Sequence, residues 1–256
     1  MPEPDSLADF AGRCLVVTGA SSGIGRAVAI ELSRHDARVV LVGRNEKRLA
    51  ETAALLAGNG HRTLVFDLAR HDSIADVVAG LHASTGPIYG MCHAAGVVAT
   101  RPLQANKVEV VQAQLDINLL AGLELARAVC RRDILTADCG SLLFVSSIYG
   151  RIGLPGQIGY CATKGAVAAA TRAMALELAR RNIRVNCLSP GLVKTDMTEQ
   201  ALGMLSDEHV SKLEAAHPLG AGRPEDVARA AVFLLAPQAR WITGTDLAVD
   251  GGFTAQ

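Results

Sequence analysis

Three residues in the middle of the chain have the types and the spacing of a proton-transfer site. Tyr160 and Lys164 are four residues apart, so on a helix both side chains project from one face, and Ser147 follows the apolar run 142–145. A free tyrosine has a pKa of about 10, and a nearby ammonium group favours the phenolate and lowers that value. We therefore expect Lys164 to lower the pKa of Tyr160 and Ser147 to hydrogen-bond to a substrate. The pair alone is suggestive rather than decisive, and the alternative, a tyrosine at a helix start beside a solvated lysine, is excluded only by agreement with a second motif.

A glycine-rich loop near the N-terminus is a second, independent motif. The apolar segment 14–17 predicts a buried strand, and it leads directly into residues 18–25 (TGASSGIG), after which a helical pattern begins. Gly19 can form the tight exit from the strand, while Gly23 and Gly25 let a ligand and a neighbouring strand approach the helix start. The N–H groups at the positive end of a helix bind phosphates. This context favours nucleotide binding over a structural turn.

Both motifs are positioned by alternating strands and helices. Strands are expected near 13–18, 38–43, 62–67, 88–93, 140–146, 183–188 and 245–249. Helices are expected near 23–34, 45–57, 71–84, 107–135, 156–180 and 224–236. This alternation predicts an α/β protein with one Rossmann-type, doubly wound domain over residues 1–256, in which a seven-stranded parallel sheet has helices on both faces. Ligands bind such sheets at the carboxyl ends of the strands, where both motifs fall.

One segment, 195–215, interrupts the alternation. Among its apolar residues are Met197, Leu202, Met204 and Leu205. We expect a mobile substrate lid here, and the alternative is a helical pair that packs on the core.

The composition narrows the class of protein. Apolar residues make up 50% of the chain and aromatic residues 4%, which predicts a core of Ala, Val, Leu and Ile between helices and a parallel sheet. The formal net charge is +0 and no basic stripe is visible, so direct recognition of DNA or RNA is not expected. Because no linker, repeat or charge block divides the chain, one domain is favoured.

Signals for export, membrane insertion and metal binding are not visible in the sequence. Residues 1–5 are acidic and without an apolar run, and no segment has the roughly 20 apolar residues of a membrane span, so a cytoplasmic protein without membrane contact is expected. The 6 cysteines form no Cys-x-x-Cys pair and are expected to be free thiols, several of them buried. The 7 histidines form no His-x-x-x-His pair, so no metal site is expected.

Together, these motifs resemble the short-chain dehydrogenase/reductase family in its single-domain form. The matching signals follow the family's order: residues 18–25, Ser147, Tyr160 with Lys164, Pro190-Gly191, and the tail from Thr243-Gly244 to Asp250-Gly251-Gly252. The resemblance covers nearly the whole chain. It implies an enzyme that transfers a hydride between a nicotinamide cofactor and a carbonyl or alcohol.

The resemblance also implies a role for each matching residue. The implied catalytic residues are Asn118, Ser147, Tyr160 and Lys164. In reduction, Ser147 and Tyr160 bind the substrate carbonyl, and Tyr160 donates a proton to the developing alkoxide. Lys164 also binds the ribose hydroxyls, and Asn118 supports a water chain to the lysine. The residues implied to contact the cofactor are Gly19, Ser21, Ser22, Gly23, Ile24, Gly25, Arg44, Asp67, Leu68, Ala94, Ala95, Gly96, Tyr160, Lys164, Pro190, Gly191, Val193 and Thr195.

One position after the fourth strand departs from the family. His93-Ala94-Ala95-Gly96 stands where relatives usually have Asn-Asn-Ala-Gly. Because His93 is predicted near the sheet interior, we expect a structural, hydrogen-bonding substitute rather than an additional catalytic residue.

The end of the second strand bears on the choice of nicotinamide cofactor. An acidic residue there would accept the ribose hydroxyls of NAD(H), and none is present. Gly43 leaves room, and Arg44 has a planar fork of donors that suits a 2′-phosphate, so NADP(H) is expected to be preferred over NAD(H). The alternative is a solvated arginine at a helix start, and Ser22 stands where many NADP-preferring relatives have a basic residue.

Three functions remain open from the sequence. The first is a carbonyl reductase most like the 3-oxoacyl carrier-protein reductases, with a small carbonyl or alcohol substrate that can be carried as a thioester. The second is a dehydrogenase of a secondary metabolite, sugar, polyol or steroid alcohol, because the expected pocket lining is apolar and unspecific. The third, a non-enzymatic nucleotide sensor, is disfavoured because the tyrosine and the lysine are both present. The residues expected to line the pocket are Ile148, Leu154, Leu192 and Met197.

Two further expectations concern partners. Reductases of carrier-bound substrates bind an acidic carrier through basic side chains at two positions. In this chain Arg181 falls at one of these positions, and Asp138 occupies the other. Arg131 and Arg132 are close enough in the sequence to compensate for the missing basic side chain. The family also commonly forms homotetramers through its two long helices, here near 107–135 and 156–180, and a homotetramer is expected.

Overall fold

The computed structural model describes residues 9–137, 139–203 and 206–255. The strands are β1 (Cys14–Thr18), β2 (Arg38–Gly43), β3 (Arg62–Val65), β4 (Ile88–His93), β5 (Gly140–Val145), β6 (Ile183–Pro190) and β7 (Asp246–Val249). The α-helices are α1 (Gly23–Arg34), α2 (Glu46–Ala53), α3 (Ile74–Thr85), α4 (Val108–Leu115), α5 (Ala121–Val129), α6 (Ile158–Leu178), α7 (Asp196–Leu202), α8 (Asp207–Ala215) and α9 (Pro224–Leu235).

All seven of these strands pair in parallel in one sheet, in the order β3-β2-β1-β4-β5-β6-β7. The chain moves outward through β1, β2 and β3 and then returns to place β4 on the other side of β1. This reversal opens a crevice between the carboxyl ends of β1 and β4. The predicted Rossmann-type, doubly wound α/β domain with a seven-stranded parallel sheet is confirmed.

Side chains alternate between the two faces of each strand, so the sheet takes part in two hydrophobic cores. In β1, Cys14 and Val16 pack into the core that contains α3, α5 and α6. Leu15 and Val17 pack into the core on the other face, which contains α1 and α9. Helices on both faces explain why the central strands are apolar along their whole length.

The single helix predicted over 107–135 is wrong. Helix α4 is followed by a π turn, Asp116–Leu120, and then by α5. The wide turn places Asn118 in the interior. After α5 the chain turns, with Leu135 N–H donating to Arg131 O at 3.0 Å, and Leu135 then forms a parallel bridge with Ile88 of β4. The other predicted strands and helices agree with the structure within four residues at each end.

The segment 195–215 contains the helices α7 and α8 in its described part. Met204 and Leu205 lie outside the described residues, as do Asp138 and residues 1–5. The described helices include none that is both long and apolar enough to cross a bilayer.

The cysteines and possible metal ligands are distributed through the fold. All six cysteines are free thiols; Cys14, Cys92, Cys130 and Cys187 are buried, and Cys139 and Cys161 are partly exposed. Within the described ranges, no group of His, Cys, Asp and Glu side chains is placed to hold a metal ion.

Candidate active site

A cleft of about 320 Å³ opens at the carboxyl ends of the strands, where the strand order reverses. It is lined by every residue for which the resemblance implies a cofactor contact, from Gly19 in the glycine-rich loop to Thr195 before α7. Ser147, Tyr160 and Lys164 also line it. The fourth implied catalytic residue, Asn118, is buried behind the cleft and does not line it.

The glycine-rich loop is folded tightly between β1 and α1. Gly19 has φ +67°, and a Cβ at this position would lie 2.8 Å from the backbone nitrogen of Ala95, in the loop after β4. A Cβ at Gly25 would collide with the Gly19 carbonyl. The first helical bond of α1 runs from Arg26 N–H to Ser22 O at 3.1 Å, so the N–H groups before it remain at the helix N-terminus beside the cleft. This arrangement suits a diphosphate.

The turn after β5 brings Ser147 to helix α6. Ser147 precedes a 3-10 turn, Ile148–Gly150, and its Oγ accepts the N–H of Tyr149 at 3.2 Å. Gly150 approaches α6 so closely that a Cβ would lie 2.8 Å from the carbonyl carbon of Lys164. Ser146 Oγ donates to Lys164 O at 2.8 Å. The turn is therefore docked on the helix at the residue whose side chain completes the site.

Lys164 and Tyr160 lie on one face of α6, as their spacing predicts. The ammonium Nζ of Lys164 lies 5.6 Å from the centre of the Tyr160 ring and donates to Val145 O at 2.7 Å. The lysine is buried, with 4% of its surface exposed. Burial disfavours its charged form and lowers the pKa of Lys164 to about 8.

The expected lowering of the Tyr160 pKa by Lys164 is not found. Removal of the phenol from water raises the pKa of Tyr160 to about 12, and a hydrogen bond with the Ser147 side chain opposes this change. The Lys164 ammonium, whose Nζ donates to the Val145 carbonyl, does not offset this desolvation. At neutral pH the tyrosine is therefore protonated, which is the form that a general acid requires.

Asn118 joins the loop after β4 to helix α6. Its Oδ1 accepts the N–H of Val97 at 2.7 Å, and its Nδ2 donates to Val97 O at 2.9 Å and to Thr163 Oγ1 at 3.0 Å. Thr163 Oγ1 in turn donates to Tyr160 O at 2.8 Å. The side chain is 1% exposed, and both its oxygen and its nitrogen are hydrogen-bonded. Its position fixes the backbone next to Tyr160, while a water chain to Lys164 stays a prediction.

His93 connects three segments that border the cleft. Its pKa is lowered to about 4, mainly by burial and then by the Lys164 charge, so the ring is neutral. Nε2 lies 3.0 Å from Ile117 O and therefore carries the proton, which leaves Nδ1 to accept from Thr18 Oγ1 at 3.0 Å. Thr18 Oγ1 accepts the N–H of Ala95 at 3.2 Å. The prediction of a buried, hydrogen-bonded histidine is confirmed.

Three arginines lie near the end of the cleft beside β2. Arg26 donates to Ser21 O at 2.7 Å and to the Thr52 hydroxyl at 3.0 Å. Arg48 forms an ion pair with Asp196, the first residue of α7. Arg44 is exposed, lines the cleft and makes no hydrogen bond or ion pair with another described residue. Its guanidinium is thus available to a ligand.

Comparisons with known proteins agree on one family. The family model described as enoyl-(acyl carrier protein) reductase matches residues 19–254. A 3-oxoacyl-[acyl-carrier-protein] reductase from Rickettsia bellii is 33% identical over 247 residues, 96% of this chain and 98% of that protein. Carbonyl reductase family member 4 from Danio rerio is 35% identical over 241 residues, 94% of this chain and 97% of that protein. The chain belongs to the short-chain dehydrogenase/reductase family.

A solved structure agrees with this assignment. It comes from Beutenbergia cavernae and is described as a candidate NAD(P)-dependent gluconate 5-dehydrogenase with bound NADP at low occupancy. It is 34% identical, has a TM-score of 0.89, and covers 97% of this chain and 99% of that one. The protein is therefore an oxidoreductase of a family that uses a nicotinamide cofactor.

The cleft of this short-chain dehydrogenase/reductase also contains residues that sequence reasoning did not identify. They are Phe66, Val97, Ile117, Val145, Ser146, Asp196 and Thr198. Several of these residues end or follow a strand, and that position could have identified them from the sequence. Nothing in the sequence marked Asp196. Of the four residues expected to line a substrate pocket, Met197 does so, whereas Ile148 is 1% exposed and part of the interior.

The lowered pKa of His93 predicts a loss of stability in mild acid. The unfolded chain binds a proton on this ring below its ordinary pKa of 6.5, whereas the folded protein does not until about 4. The stabilisation is therefore present above pH 6.5 and is lost as the pH falls towards about 4, by up to about 3 kcal/mol. Urea unfolding of wild type and His93→Asn across this range measures the difference. Parallel curves for the two proteins would show that His93 contributes nothing to it.

Proposed function

We propose that this protein is an NADP(H)-dependent reductase that interconverts a carbonyl group and a secondary alcohol, with 3-oxoacyl thioesters as its substrates. The observation that carries the proposal is the Tyr160 phenol beside the Ser147 hydroxyl in the same cleft as the glycine-rich helix N-terminus. A proton donor and a diphosphate site in one cleft are what carbonyl reduction by a dinucleotide needs.

The residues that line the cleft fit such a dinucleotide. At Gly19 and Gly25 a Cβ would collide with neighbouring backbone, so the loop stays thin beside the N-terminus of α1. Arg44 stands where the adenosine phosphate would lie, and the segment after β6, with Val193 and Thr195, borders the opposite end of the cleft. When bound, the nicotinamide supplies the hydride.

The side chains of the protein handle the substrate oxygen and its proton. Ser147, whose Oγ is fixed by the N–H of Tyr149, donates a hydrogen bond to the substrate carbonyl. Tyr160 donates the second hydrogen bond and then gives its proton to the oxygen as negative charge develops there. We propose that Lys164, which lies on the same face of α6 and lines the cleft, binds the ribose hydroxyls of the cofactor. In the oxidising direction the phenolate accepts the proton instead.

The proposed preference for NADP(H) depends on Arg44. Its guanidinium is exposed, is free of other described partners and follows a glycine, Gly43, that leaves room beside it. Charge-assisted hydrogen bonds from a planar guanidinium suit a phosphate monoester. The relative from Beutenbergia cavernae, described as NAD(P)-dependent and with bound NADP, supports the binding of NADP in such a cleft.

Residues 195–215 are proposed as a lid over this cleft. Two ion pairs anchor the segment from opposite ends: Arg48 to Asp196, and Lys194 Nζ to Glu214 Oε1 at 3.9 Å. Asp196, Met197 and Thr198 line the cleft. The first pair joins α7 to α2.

Thioester substrates are proposed from the relatives, which include 3-oxoacyl-[acyl-carrier-protein] reductases. The basic residues considered for a carrier do not support a carrier at the cleft of the same chain. Arg131 and Arg132 follow α5, and Arg181 lies two residues before the start of β6, so all three are near the amino ends of the strands. The cleft is at the carboxyl ends, about 20 Å away along a six-residue strand. Arg131 is also paired with Asp133.

A homotetramer is proposed for the assembled protein. Helices α4 to α6 expose apolar side chains, among them Val108 (76%) and Leu176 (83%), and these would be covered by a second copy.

Replacement of Arg44 by aspartate should reverse the cofactor preference. Loss of the phosphate contact should lower kcat/KM for NADPH by about 10-fold or more, while NADH improves because aspartate accepts the ribose hydroxyls. Steady-state kinetics with both cofactors measure this. Lys47→Asp makes a similar charge change on the exposed face of α2 and should leave the preference in place. Unchanged NADPH affinity in Arg44→Asp would remove the argument for NADP(H).

A substrate panel tests the proposed reaction. Wild type should oxidise NADPH with an acetoacetyl thioester faster than with a ketosteroid, a ketosugar or a diketone. Tyr160→Phe should lower turnover by about 100-fold or more because the proton donor is lost, with NADPH binding almost intact. Tyr149→Phe removes a neighbouring phenol that does not line the cleft and serves as the control. A Tyr160→Phe variant with a tenth of wild-type activity would exclude the mechanism, and preference for another ketone would exclude thioesters.

The raised pKa of Tyr160 predicts opposite pH dependences in the two directions. Reduction needs the protonated phenol, which persists towards a pKa of about 12, so its rate should not fall through loss of this proton in the neutral range. Oxidation needs the phenolate, so its kcat/KM should rise by about 10-fold per pH unit. Initial rates in both directions from about pH 6 to about pH 9 measure this. Because Lys164 has a pKa of about 8, Lys164→Arg separates its titration from that of the tyrosine. A pH-independent oxidation rate would contradict the assignment.

A further inference from the structure

His217 lies behind the segment that follows β6, and both ring nitrogens have backbone partners. Nε2 is 3.0 Å from the N–H of Leu192 and must accept it. Nδ1 therefore carries the proton and donates to Leu213 O, at 2.8 Å, near the end of α8. The residue is 3% exposed. One neutral tautomer satisfies both contacts, so the ring acts as a fixed link between two backbone segments.

The segment that this ring fixes borders the nicotinamide end of the proposed cofactor site. Gly191 and Val193, on either side of Leu192, both line the cleft. A Cβ at Gly191 would lie 2.9 Å from His217 Nε2, which shows how closely the imidazole supports the backbone there. The other side of the segment is held by Gly222, whose N–H donates to Leu192 O at 2.9 Å. Without the imidazole, the Leu192 N–H would be left without its partner.

The same ring contacts two further parts of the fold. Its centre lies 4.6 Å from that of Phe253, near the C-terminal end of the described chain. Leu213 belongs to α8, the second helix of the proposed lid. His217 thus joins the lid, the C-terminal segment and the backbone beside the cleft through one side chain.

We propose that His217 is a positioning residue for hydride transfer, which sets the place of the 191–195 backbone and, through it, the nicotinamide ring. The inference depends on the proposed function, because it assumes a nicotinamide at this end of the cleft. It assigns His217 no contact with the cofactor. Loss of the ring should therefore displace the nicotinamide half of a bound dinucleotide and leave the adenosine half in place.

His61 provides a matched control. Its Nδ1 accepts the N–H of Val39 at 3.1 Å, and its Nε2 lies 2.8 Å from Ala57 O. The pattern of contacts is the same, but Val39 is near the amino end of β2, away from the cleft. His61→Leu removes an equivalent pair of hydrogen bonds, so it reports on a structural loss alone.

Saturation-transfer NMR with NADP⁺ tests the proposal without turnover. Wild type and His61→Leu should show saturation of both the adenine and the nicotinamide protons. His217→Leu should keep the adenine signal and lose about half or more of the nicotinamide signal. His217→Gln, whose amide can both accept and donate a hydrogen bond, should restore the nicotinamide signal. In the reductase assay, His217→Leu should lower kcat by about 10-fold or more and enlarge the isotope effect of 4-deuterated NADPH, because hydride transfer becomes slower.

The outcomes separate the inference from the function on which it depends. Equal nicotinamide signals in wild type and His217→Leu, or loss of both signals together, would overturn the role of His217 and leave the proposed function standing. A wild-type protein that saturates neither end of NADP⁺ would overturn the proposed function and the inference with it. Should His217→Leu fail to fold, His217→Asn, whose shorter amide reaches only one partner, takes its place with the same selective loss expected.

Discussion

The turn after β5 docks on helix α6 at the peptide group of Lys164, and the positions of the reactive groups depend on this contact. Gly150 approaches that backbone closely because it has no side chain, and the Ser146 hydroxyl holds the same carbonyl. This proximity brings Ser147 to Tyr160 and lets Lys164 Nζ reach the end of β5. A larger residue at position 150 would separate the strand that carries the serine from the helix that carries the other two groups.

In the loops at the carboxyl ends of the strands, some backbone N–H groups have no partner in a neighbouring strand. Buried side chains accept hydrogen bonds from these groups instead. Each such side chain can both accept and donate, so it joins two segments and satisfies its own polar atoms at the same time. This is why polar residues are buried next to a largely apolar interior. Around the cleft, Thr18 accepts the N–H of Ala95 and is itself hydrogen-bonded to His93. Asn118 accepts the N–H of Val97, and His217 accepts that of Leu192.

The sheet, its helices and the set of residues around the cleft could be predicted because they depend on local patterns: apolar runs, glycine spacing, and the rule that strand ends form the site. Features that depend on contacts between residues far apart in the sequence could not be predicted. The π turn at Asp116–Leu120 interrupts an apolar pattern that continues through it, and its Asn118 contacts Val97. The raised pKa of Tyr160 reflects burial, which residue spacing does not reveal. Arg48 and Asp196 are 148 positions apart in the chain.

Lys164 has one property that reaches beyond the shape of the cleft. With a pKa of about 8, its amine is not uniformly charged across a population of molecules in mildly alkaline solution. An anion that settles close to the amine favours the ammonium form and draws in a fraction of a proton from the solvent. We therefore expect ligand association at this site to be coupled to the buffer, so that a heat of binding would include the ionisation enthalpy of the buffer that gives up the proton.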